Sequence, residues 1–195
     1  MLFHSIILNF GLSPCPELHT LLQQSYPDAT HPARIAGFYS SRNCLLENLR
    51  KIYADADYSQ LALSNHASLE HFPDITLSLS HTPLAGASVL ALQKEYLAVG
   101  IDIESIERVV KDHVIQRVTT AKDIKFTNLE LWCLKEAIYK CVSNSGLFDG
   151  VLEFRDMEIK ENHWHHSPSG LCGEWKQFQE LNHQVAIATL KNQNS

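Results

Sequence analysis

The sequence lacks an excess of basic residues and a long apolar run, and we expect its first residues not to be a secretion signal. Its 195 residues include 16 Lys and Arg against 22 Asp and Glu, which gives a formal net charge of −6. This balance argues against a general nucleic-acid-binding protein, although it allows a local basic pocket. No apolar run reaches membrane-spanning length. The apolar N-terminus has neither the basic leading region nor the small-residue cleavage site of a signal peptide, so it predicts a first β-strand. We therefore expect neither nucleic acid nor a membrane as a partner.

Paired cysteines are also missing. The chain has five cysteines, an odd number, and no C-x-x-C motif: Cys15, Cys44, Cys133, Cys141 and Cys172. Such scattered cysteines predict neither a disulfide framework nor a zinc site. They are typical of reduced, mostly buried thiols, so we expect a cytoplasmic protein in which no cysteine is the nucleophile.

The chain has enough apolar material for a sizeable core, since 45% of its residues are hydrophobic and 19% are charged. This fits one domain or two small ones. In the first half, helical periodicity covers Ser13–Leu22 and His31–Ile52. Alternating residues then predict strands at Asp74–Thr82, Ala85–Leu92 and Tyr96–Glu104, joined by short turns as in an antiparallel sheet.

The second half repeats this order of helices and then strands. Helical patterns cover Val109–Val118 and Phe126–Val142, and strand patterns follow at 151–160, 170–178 and 184–190. The repetition predicts an α+β fold of two similar subdomains, residues 1–94 and 95–195, each a small antiparallel sheet with packed helices. Because ligands usually bind in the cleft between such units, we expect the functional site at their junction.

Two carboxylates, Asp102 and Glu104, lie in the predicted strand Tyr96–Glu104. A strand alternates its faces with period two, so both side chains point the same way and repel each other. One interpretation is the solvated edge of an amphipathic strand. The other is a site for a hard cation such as Mg²⁺, which takes oxygen ligands and relieves the repulsion. The second interpretation requires a third ligand elsewhere in the chain.

The strongest helical pattern supplies a candidate for that ligand. Trp132, Glu136 and Lys140 are spaced four residues apart and therefore share one face of the helix. Taken alone, Glu136 and Lys140 are an ordinary surface ion pair worth a few tenths of a kcal/mol. Together with the two strand carboxylates they form a constellation that could hold a cation beside a phosphate.

These motifs carry a family resemblance. Gly100–Glu104 (GIDIE) and Trp132–Lys140 (WCLKEAIYK) resemble the paired signature of the 4′-phosphopantetheinyl transferases, G-[IV]-D-x-E followed by W-x-x-K-E-[AS]-x-x-K. Ser78–Thr82 (SLSHT) is similar to the S-x-S-H segment of that family, and Arg34 and Arg42 resemble the arginines of its N-terminal helix. The four motifs occur in the order of the family.

In its length and in the order of its motifs, the chain resembles the two-subdomain, surfactin-type (Sfp-type) enzymes, which act as monomers. The short synthases of the family, which trimerise, are much shorter. Two departures are visible. The G-K-P motif that often precedes S-x-S-H in the family is absent here, which leaves the recognition of adenine open. Arg117 and Asp123 lie where the family often has R-F-F-[ST]-x-x-E, without the two phenylalanines.

The resemblance implies holo-[acyl-carrier-protein] synthase activity: the 4′-phosphopantetheine arm of coenzyme A is transferred to a serine of an acyl or peptidyl carrier protein, and adenosine 3′,5′-bisphosphate is released. It implies that Asp102, Glu104 and Glu136 hold Mg²⁺ and that Glu136, directly or through a metal-bound water, is the base for the serine. Lys140 would meet the pyrophosphate and stabilise the leaving group.

The resemblance also implies a binding set for coenzyme A. Ser80 and His81 would contact its phosphates, and Arg34 and Arg42 would bind the 3′-phosphate. For Lys135, a structural role and a contact with the 3′-phosphate both stay open. The His-rich segment His163–His166 lies beside a turn signal and lacks further ligands at zinc spacing, so we expect an exposed loop there.

Two alternative functions remain at this point. The first is a catalytically weak scaffold that binds carrier proteins, and the second is a Mg²⁺-dependent pyrophosphohydrolase in which water replaces the serine. The retained acidic residues and lysine argue against the scaffold. The sequence does not identify the carrier protein or the pathway.

Overall fold

The chain folds into two five-stranded antiparallel sheets, each with a long helix packed on it. The computed structural model describes residues 2–8, 16–65, 67–121, 123 and 126–192. The helices are α1 Pro16–Ser25, α2 Pro32–Arg50, α3 Asp112–Val118 and α4 Asn128–Ser145. The strands of the first sheet are β1 Leu2–Leu8, β2 Leu63–Asn65, β3 Ser68–Leu69, β4 Ile75–His81 and β5 Ala85–Leu92. Those of the second are β6 Tyr96–Ser105, β7 Met157–Lys160, β8 His163–His166, β9 Leu171–Glu180 and β10 His183–Lys191.

The two sheets repeat one topology. Their strand orders are β1-β5-β4-β3-β2 and β6-β10-β9-β8-β7, so adding five to each strand number converts the first order into the second. Each unit also runs strand, short helix, long helix and then four strands. We call these units the N-terminal subdomain (β1–β5, α1, α2) and the C-terminal subdomain (β6–β10, α3, α4). The α+β fold with two similar subdomains is confirmed.

Three apolar cores hold the molecule together. One lies between α2 and its sheet, and a second lies between α4 and its sheet. The third lies between the two sheets, where Ala87 and Val89 of β5 meet Ile101 of β6 and Ile187 of β10. All four of these side chains are fully buried. Because burial of apolar area is the main favourable term in folding, this third core joins the two subdomains into one body.

Glycines set the distance between each long helix and its sheet. A Cβ added at Gly100 on β6 would lie 2.0 Å from the carbonyl oxygen of Ala137 on α4. At Gly86 on β5 it would lie 2.2 Å from the backbone nitrogen of Ser41 on α2. Any side chain at these positions would push the helix away. The glycine that opens the GIDIE motif therefore has a packing reason, since it lets α4 lie directly on the strand that carries Asp102.

Two sequence predictions in the C-terminal subdomain are wrong. His163–His166 is not an exposed loop but strand β8, with Trp164 and His166 buried between β7 and β9. The predicted strand at 151–160 is shorter, because a 3₁₀ turn, Phe154–Asp156, precedes β7. In the N-terminal subdomain, the predicted helix at Ser13–Leu22 is observed as α1, and its residues 13–15, Cys15 among them, lie outside the described residues.

Of the cysteines that the structure describes, three are buried and Cys172 is exposed, all of them as free thiols. Within the same described ranges, no helix combines the length and the apolar character that a membrane span requires.

Candidate functional site

The strand carboxylates face α4 from near the end of β6. Asp102 and Glu104 are 6% and 8% exposed, and both line a cavity of about 380 Å³ formed by β4, β6 and α4, which we call the carboxylate cavity. Alternation along β6 sends their neighbours Ile101 and Ile103 into the core between the sheets. The apolar residues of the GIDIE motif thus anchor the strand, and its two acidic residues enter the cavity.

Helix α4 brings three further side chains to the same cavity. Trp132, Glu136 and Lys140 all line it, as their i,i+4 spacing predicts. The helix starts at a capping box, in which Thr127 and Glu130 satisfy each other's backbone N–H groups. The Trp132 indole donates to Glu104 Oε1 at 3.2 Å, and Lys140 Nζ donates to Asp102 Oδ1 at 2.7 Å. One helix face therefore supplies a partner for each strand carboxylate.

Asp102 has one engaged oxygen and one free oxygen. Its Oδ1 accepts from Ser80 Oγ at 2.9 Å as well as from Lys140. Its Oδ2 is buried and has no hydrogen-bond partner among the described residues. Buried carboxylate oxygens are normally hydrogen-bonded, and an orphaned one is costly. Asp102 lines the cavity that it shares with Glu104, and an oxygen without a partner there is suited to a ligand cation.

Glu104 is held by cationic and aromatic neighbours. The Arg108 guanidinium donates to its Oε1 and lies 5.6 Å from the centre of the Trp132 ring. Burial raises the pKa of Glu104, the hydrogen bond from Arg108 opposes that rise, and the charge of Asp102 adds to it. Arg108, four residues after Glu104, is a member of the site that the sequence analysis missed. Its i+4 spacing from an acidic residue is the signal that could have found it.

Glu136 completes the acidic group. Burial raises its pKa, the charges of Asp102 and Glu104 raise it further, and Lys140 and Arg108 act in the opposite direction. As the side chains stand, no group of three or more His, Cys, Asp or Glu residues in the described part of the chain is arranged to hold a metal ion. Asp102 is engaged by Lys140, and Glu104 by Arg108. The donor chemistry and the free oxygen of Asp102 nevertheless fit a hard cation such as Mg²⁺, and the metal role of the three carboxylates stays a prediction.

A cationic cavity adjoins the acidic one. It has a volume of about 330 Å³, lies between α2 and β4, and shares Leu79, His81 and Lys140 with the carboxylate cavity. Both predicted arginines, Arg34 and Arg42, line it. The two cavities therefore form one cleft at the junction of the subdomains, acidic at one end and basic at the other.

Arg42 is a buried cation that has no counter-charge among the residues that the structure describes. It is 5% exposed, its guanidinium carbon lies 4.9 Å from the centre of the Phe38 ring, and its Nε has no partner among the described residues. None of the carboxylates in the described ranges forms an ion pair with it. Burial lowers its pKa to about 10. Since an unpaired buried charge is unfavourable, this cavity is suited to a bound anion.

His81 lies close to α2 because Gly37 has no side chain there. A Cβ at Gly37 would lie 2.3 Å from Nδ1 of His81, so the ring lies directly on the helix backbone. Burial lowers the pKa of His81, and the positive charges of Lys140 and Arg34 lower it further. A lowered pKa favours the neutral ring, which has one N–H to donate. Gly37 is a second contributor that the sequence analysis missed, and a glycine inside a long helix was the available signal.

Lys135 has a structural position. Its buried Nζ pairs with Asp123 at 3.0 Å and donates to the carbonyl oxygens of Phe154, at 3.2 Å, and Met157. Burial lowers its pKa, and the charge of Asp123 opposes the change. Of the two roles left open for Lys135, the structural one agrees with these contacts, which tie α4 to the segment that leads into β7.

Side chains from both subdomains form hydrogen bonds with the backbone groups on the outer edge of β6. Asn144 Nδ2 donates to the carbonyl oxygens of Val99, at 3.0 Å, and of Leu77 on β4, at 3.3 Å. Lys140 Nζ donates to Ile101 O at 3.0 Å, and the Ile101 N–H donates to Ser78 Oγ at 3.2 Å. Asn144 lies one helical turn beyond Lys140, so extending the i,i+4 series by one step would have found it.

Comparison with curated proteins found no match. A comparison with family models found one for the C-terminal subdomain, which carries both GIDIE and WCLKEAIYK. The matching stretch, a little under half of the chain, is residues 98–190, and it matches the model of the 4′-phosphopantetheinyl transferase superfamily (ACPS).

Proposed function

We propose that the protein transfers the 4′-phosphopantetheine arm of coenzyme A to a serine of an acyl or peptidyl carrier protein, with Mg²⁺ and with release of adenosine 3′,5′-bisphosphate. The observation that carries the proposal is a cleft in which a buried arginine, without an ion-pair partner among the described residues, and a group of three carboxylates lie on either side of Lys140. Coenzyme A has its 3′-phosphate at one place and its pyrophosphate at another. A cleft with two charged ends suits such a ligand, and the family match of residues 98–190 supports the same reaction.

The cationic end would bind the 3′-phosphate. Arg42 offers a forked set of donors from a position that excludes water, and Arg34 lies on the more exposed side of the same cavity. A phosphate here would supply the missing counter-charge for Arg42. This end is remote from the bond that breaks, so its contribution would be to affinity.

The acidic end would carry out the chemistry. Asp102, Glu104 and Glu136 would hold Mg²⁺, which when bound would neutralise charge on the pyrophosphate. The raised pKa of Glu136 suits a base that takes the proton of the carrier serine. The serine oxygen forms a bond to the phosphorus that bears the pantetheine, while the bond from that phosphorus to the bridging oxygen breaks. Lys140 stabilises the phosphate that leaves.

His81 lies where the two cavities meet, and Ser80 lies next to it in the carboxylate cavity. The single N–H of a neutral His81 would orient a phosphate oxygen of coenzyme A. Ser80 Oγ already donates to Asp102, so its part in binding coenzyme A would be to hold that carboxylate in place. This differs from a direct contact of Ser80 with phosphate, which the family resemblance implied.

The proposed subtype is the two-subdomain enzyme that acts as a monomer. The two walls of the cleft come from α2 and β4 on one side and from β6 and α4 on the other, within one chain. A second copy is not required to complete these walls.

The test is incubation of the protein with coenzyme A, Mg²⁺ and a panel of apo carrier proteins, followed by mass spectrometry of each carrier. The expected result is a carrier whose mass increases by one phosphopantetheine group, together with adenosine 3′,5′-bisphosphate in the supernatant. Bisphosphate and free phosphopantetheine without a modified carrier would indicate the pyrophosphohydrolase. Carrier binding without any product would indicate the scaffold, and either result would overturn the proposal.

A further inference from the structure

A row of hydroxyl groups along β4 and just beyond its end bridges the two subdomains. Ser78 and Ser80 alternate with the core residues Leu77 and Leu79 of β4, and Thr82 continues the period of two directly after the strand. Ser78 Oγ and Ser80 Oγ accept from the N–H groups of Ile101 and Ile103 on β6, at 3.2 and 3.4 Å. Thr82 reaches the C-terminal subdomain by a different route, through a histidine.

That histidine is His183, at the start of β10. It is 2% exposed, and its Nε2 lies 3.0 Å from Thr82 Oγ1 while its Nδ1 lies 2.7 Å from the carbonyl oxygen of Leu181. A carbonyl only accepts, so Nδ1 carries the hydrogen. Thr82 Oγ1 accepts the N–H groups of Leu84 and Ala85, at 3.2 and 3.1 Å, which occupies both of its lone pairs. Its hydroxyl hydrogen is then available only for Nε2, and the neutral Nδ1–H ring satisfies every group.

The hydrogen bond between Thr82 and His183 lies next to residues of the cleft. Thr82 directly follows His81, and His183 is paired with Ser105 of β6, next to Glu104. The bond therefore ties the end of the strand that carries Ser80 and His81 to the two strands at the acidic end. Neither Thr82 nor His183 lines the cationic cavity or the carboxylate cavity.

We propose that His183 is a positioning residue, which acts through Thr82 to fix Ser80 and His81 relative to Asp102. Its effect on catalysis rests on the proposed function, but its effect on His81 does not. A displacement of about 1 Å in a catalytic group is enough to cost on the order of a hundredfold in rate. Loss of one bond at the strand end should therefore lower kcat by about tenfold, with the KM for coenzyme A changed by less than about twofold.

The experiment compares Thr82→Val, which removes the hydroxyl at constant shape, with Thr82→Ser, which keeps it. We expect Thr82→Val and His183→Leu to lower kcat alike, the double variant to be no worse than either single one, and Thr82→Ser to retain the wild-type kcat. Thr76→Val is the matched control: Thr76 is 2% exposed on the same face of β4, and its side chain makes none of these bridging contacts within the described residues. All variants are assayed below their melting temperatures, measured by circular dichroism.

NMR of the histidine rings separates this proposal from the proposed function. Long-range ¹⁵N–¹H correlation should show His183 as the Nδ1–H tautomer, and Thr82→Val should shift the ring signals of His81 while Thr76→Val leaves them unchanged. If the wild-type protein transfers nothing, the proposed function fails, and the His81 signals alone decide on the positioning role. A His183 ring protonated at Nε2, or a Thr82→Val variant with wild-type kcat or with unshifted His81 signals, would overturn it.

Discussion

At the scale of single residues, Asp102 is the point on which the metal hypothesis depends. Its Oδ2 is buried and has no hydrogen-bond partner in the described part of the chain, while its Oδ1 is bonded to Ser80 and Lys140. We expect Asp102→Asn to abolish transfer even at saturating Mg²⁺, because the amide keeps the shape but loses the charge that a hard cation needs. The fold should be intact by circular dichroism. Asp149→Asn, at an exposed loop position, is the control and should remain fully active. Near-normal transfer by Asp102→Asn would remove the metal assignment.

Glu136 gives a prediction about pH. Burial and the neighbouring carboxylates raise its pKa in the folded protein, so the folded state binds this proton more tightly than the unfolded chain does. That contribution to stability is complete below the unfolded pKa and is lost as the pH rises through the folded pKa. Glu136→Gln should therefore increase the free energy of unfolding at neutral pH, by less than about 1 kcal/mol because residual water contact screens the charge.

The gain from Glu136→Gln should disappear in acid, where the wild-type carboxyl is protonated in both states. Urea unfolding at a series of pH values measures it, with the exposed Glu47→Gln on α2 as the control that shows no such gain. Added Mg²⁺ should reduce the advantage, since the wild-type carboxylate would then have a partner. A Glu136→Gln variant that is less stable than wild type at neutral pH would contradict this account of the site.

At the scale of secondary structure, β6 is an edge strand whose outer edge is closed by side chains. Asn144 donates to the carbonyl oxygens of Val99 and Leu77, one from each subdomain. We expect Asn144→Leu to lower the free energy of unfolding by about 1–3 kcal/mol, because it leaves two carbonyl groups between the subdomains without their hydrogen-bond donor. Urea unfolding with Ser143→Ala, the exposed neighbour on α4, as the control tests this. Equal stability of the two variants would mean that water replaces the amide without cost.

The helices and strands also differ in how well the sequence predicted them. Periodicity located α2, α4 and β4 to β6, and with them the shared face of Trp132, Glu136 and Lys140, because these elements have one apolar and one polar face. Strand β8 was missed because three of its four residues are histidines, and a histidine is buried or exposed according to tertiary packing. His183 was missed for a related reason: its partner Thr82 lies in the other subdomain, far away in sequence.

At the scale of the whole molecule, the repeated topology produces one cleft with unlike sides. The N-terminal subdomain contributes Arg34 and Arg42 from α2, and the C-terminal subdomain contributes the carboxylates from β6 and α4. Since one chain supplies both sides, we expect a monomer by light scattering and a specific activity that is independent of dilution. A trimer whose activity falls on dilution would indicate the short synthase type instead.

Because the two ends of the cleft differ in charge, we expect substitutions at the cationic end to affect the binding of coenzyme A and those at the acidic end to affect the chemical step. Arg42→Gln should raise the KM for coenzyme A by about tenfold or more. It removes a contact with the remote 3′-phosphate that is equally strong in the ground state and in the transition state. With 3′-dephospho-coenzyme A, which lacks that group, the same substitution should have little effect. Glu136→Gln should instead lower kcat with both substrates alike, since it acts on the serine and not on the nucleotide. Arg50→Gln, an exposed position on the same helix as Arg42, is the matched control and should behave as wild type. An equal fractional loss of Arg42→Gln on both substrates would remove the 3′-phosphate role of the cationic cavity and would leave the acidic end of the cleft unaffected.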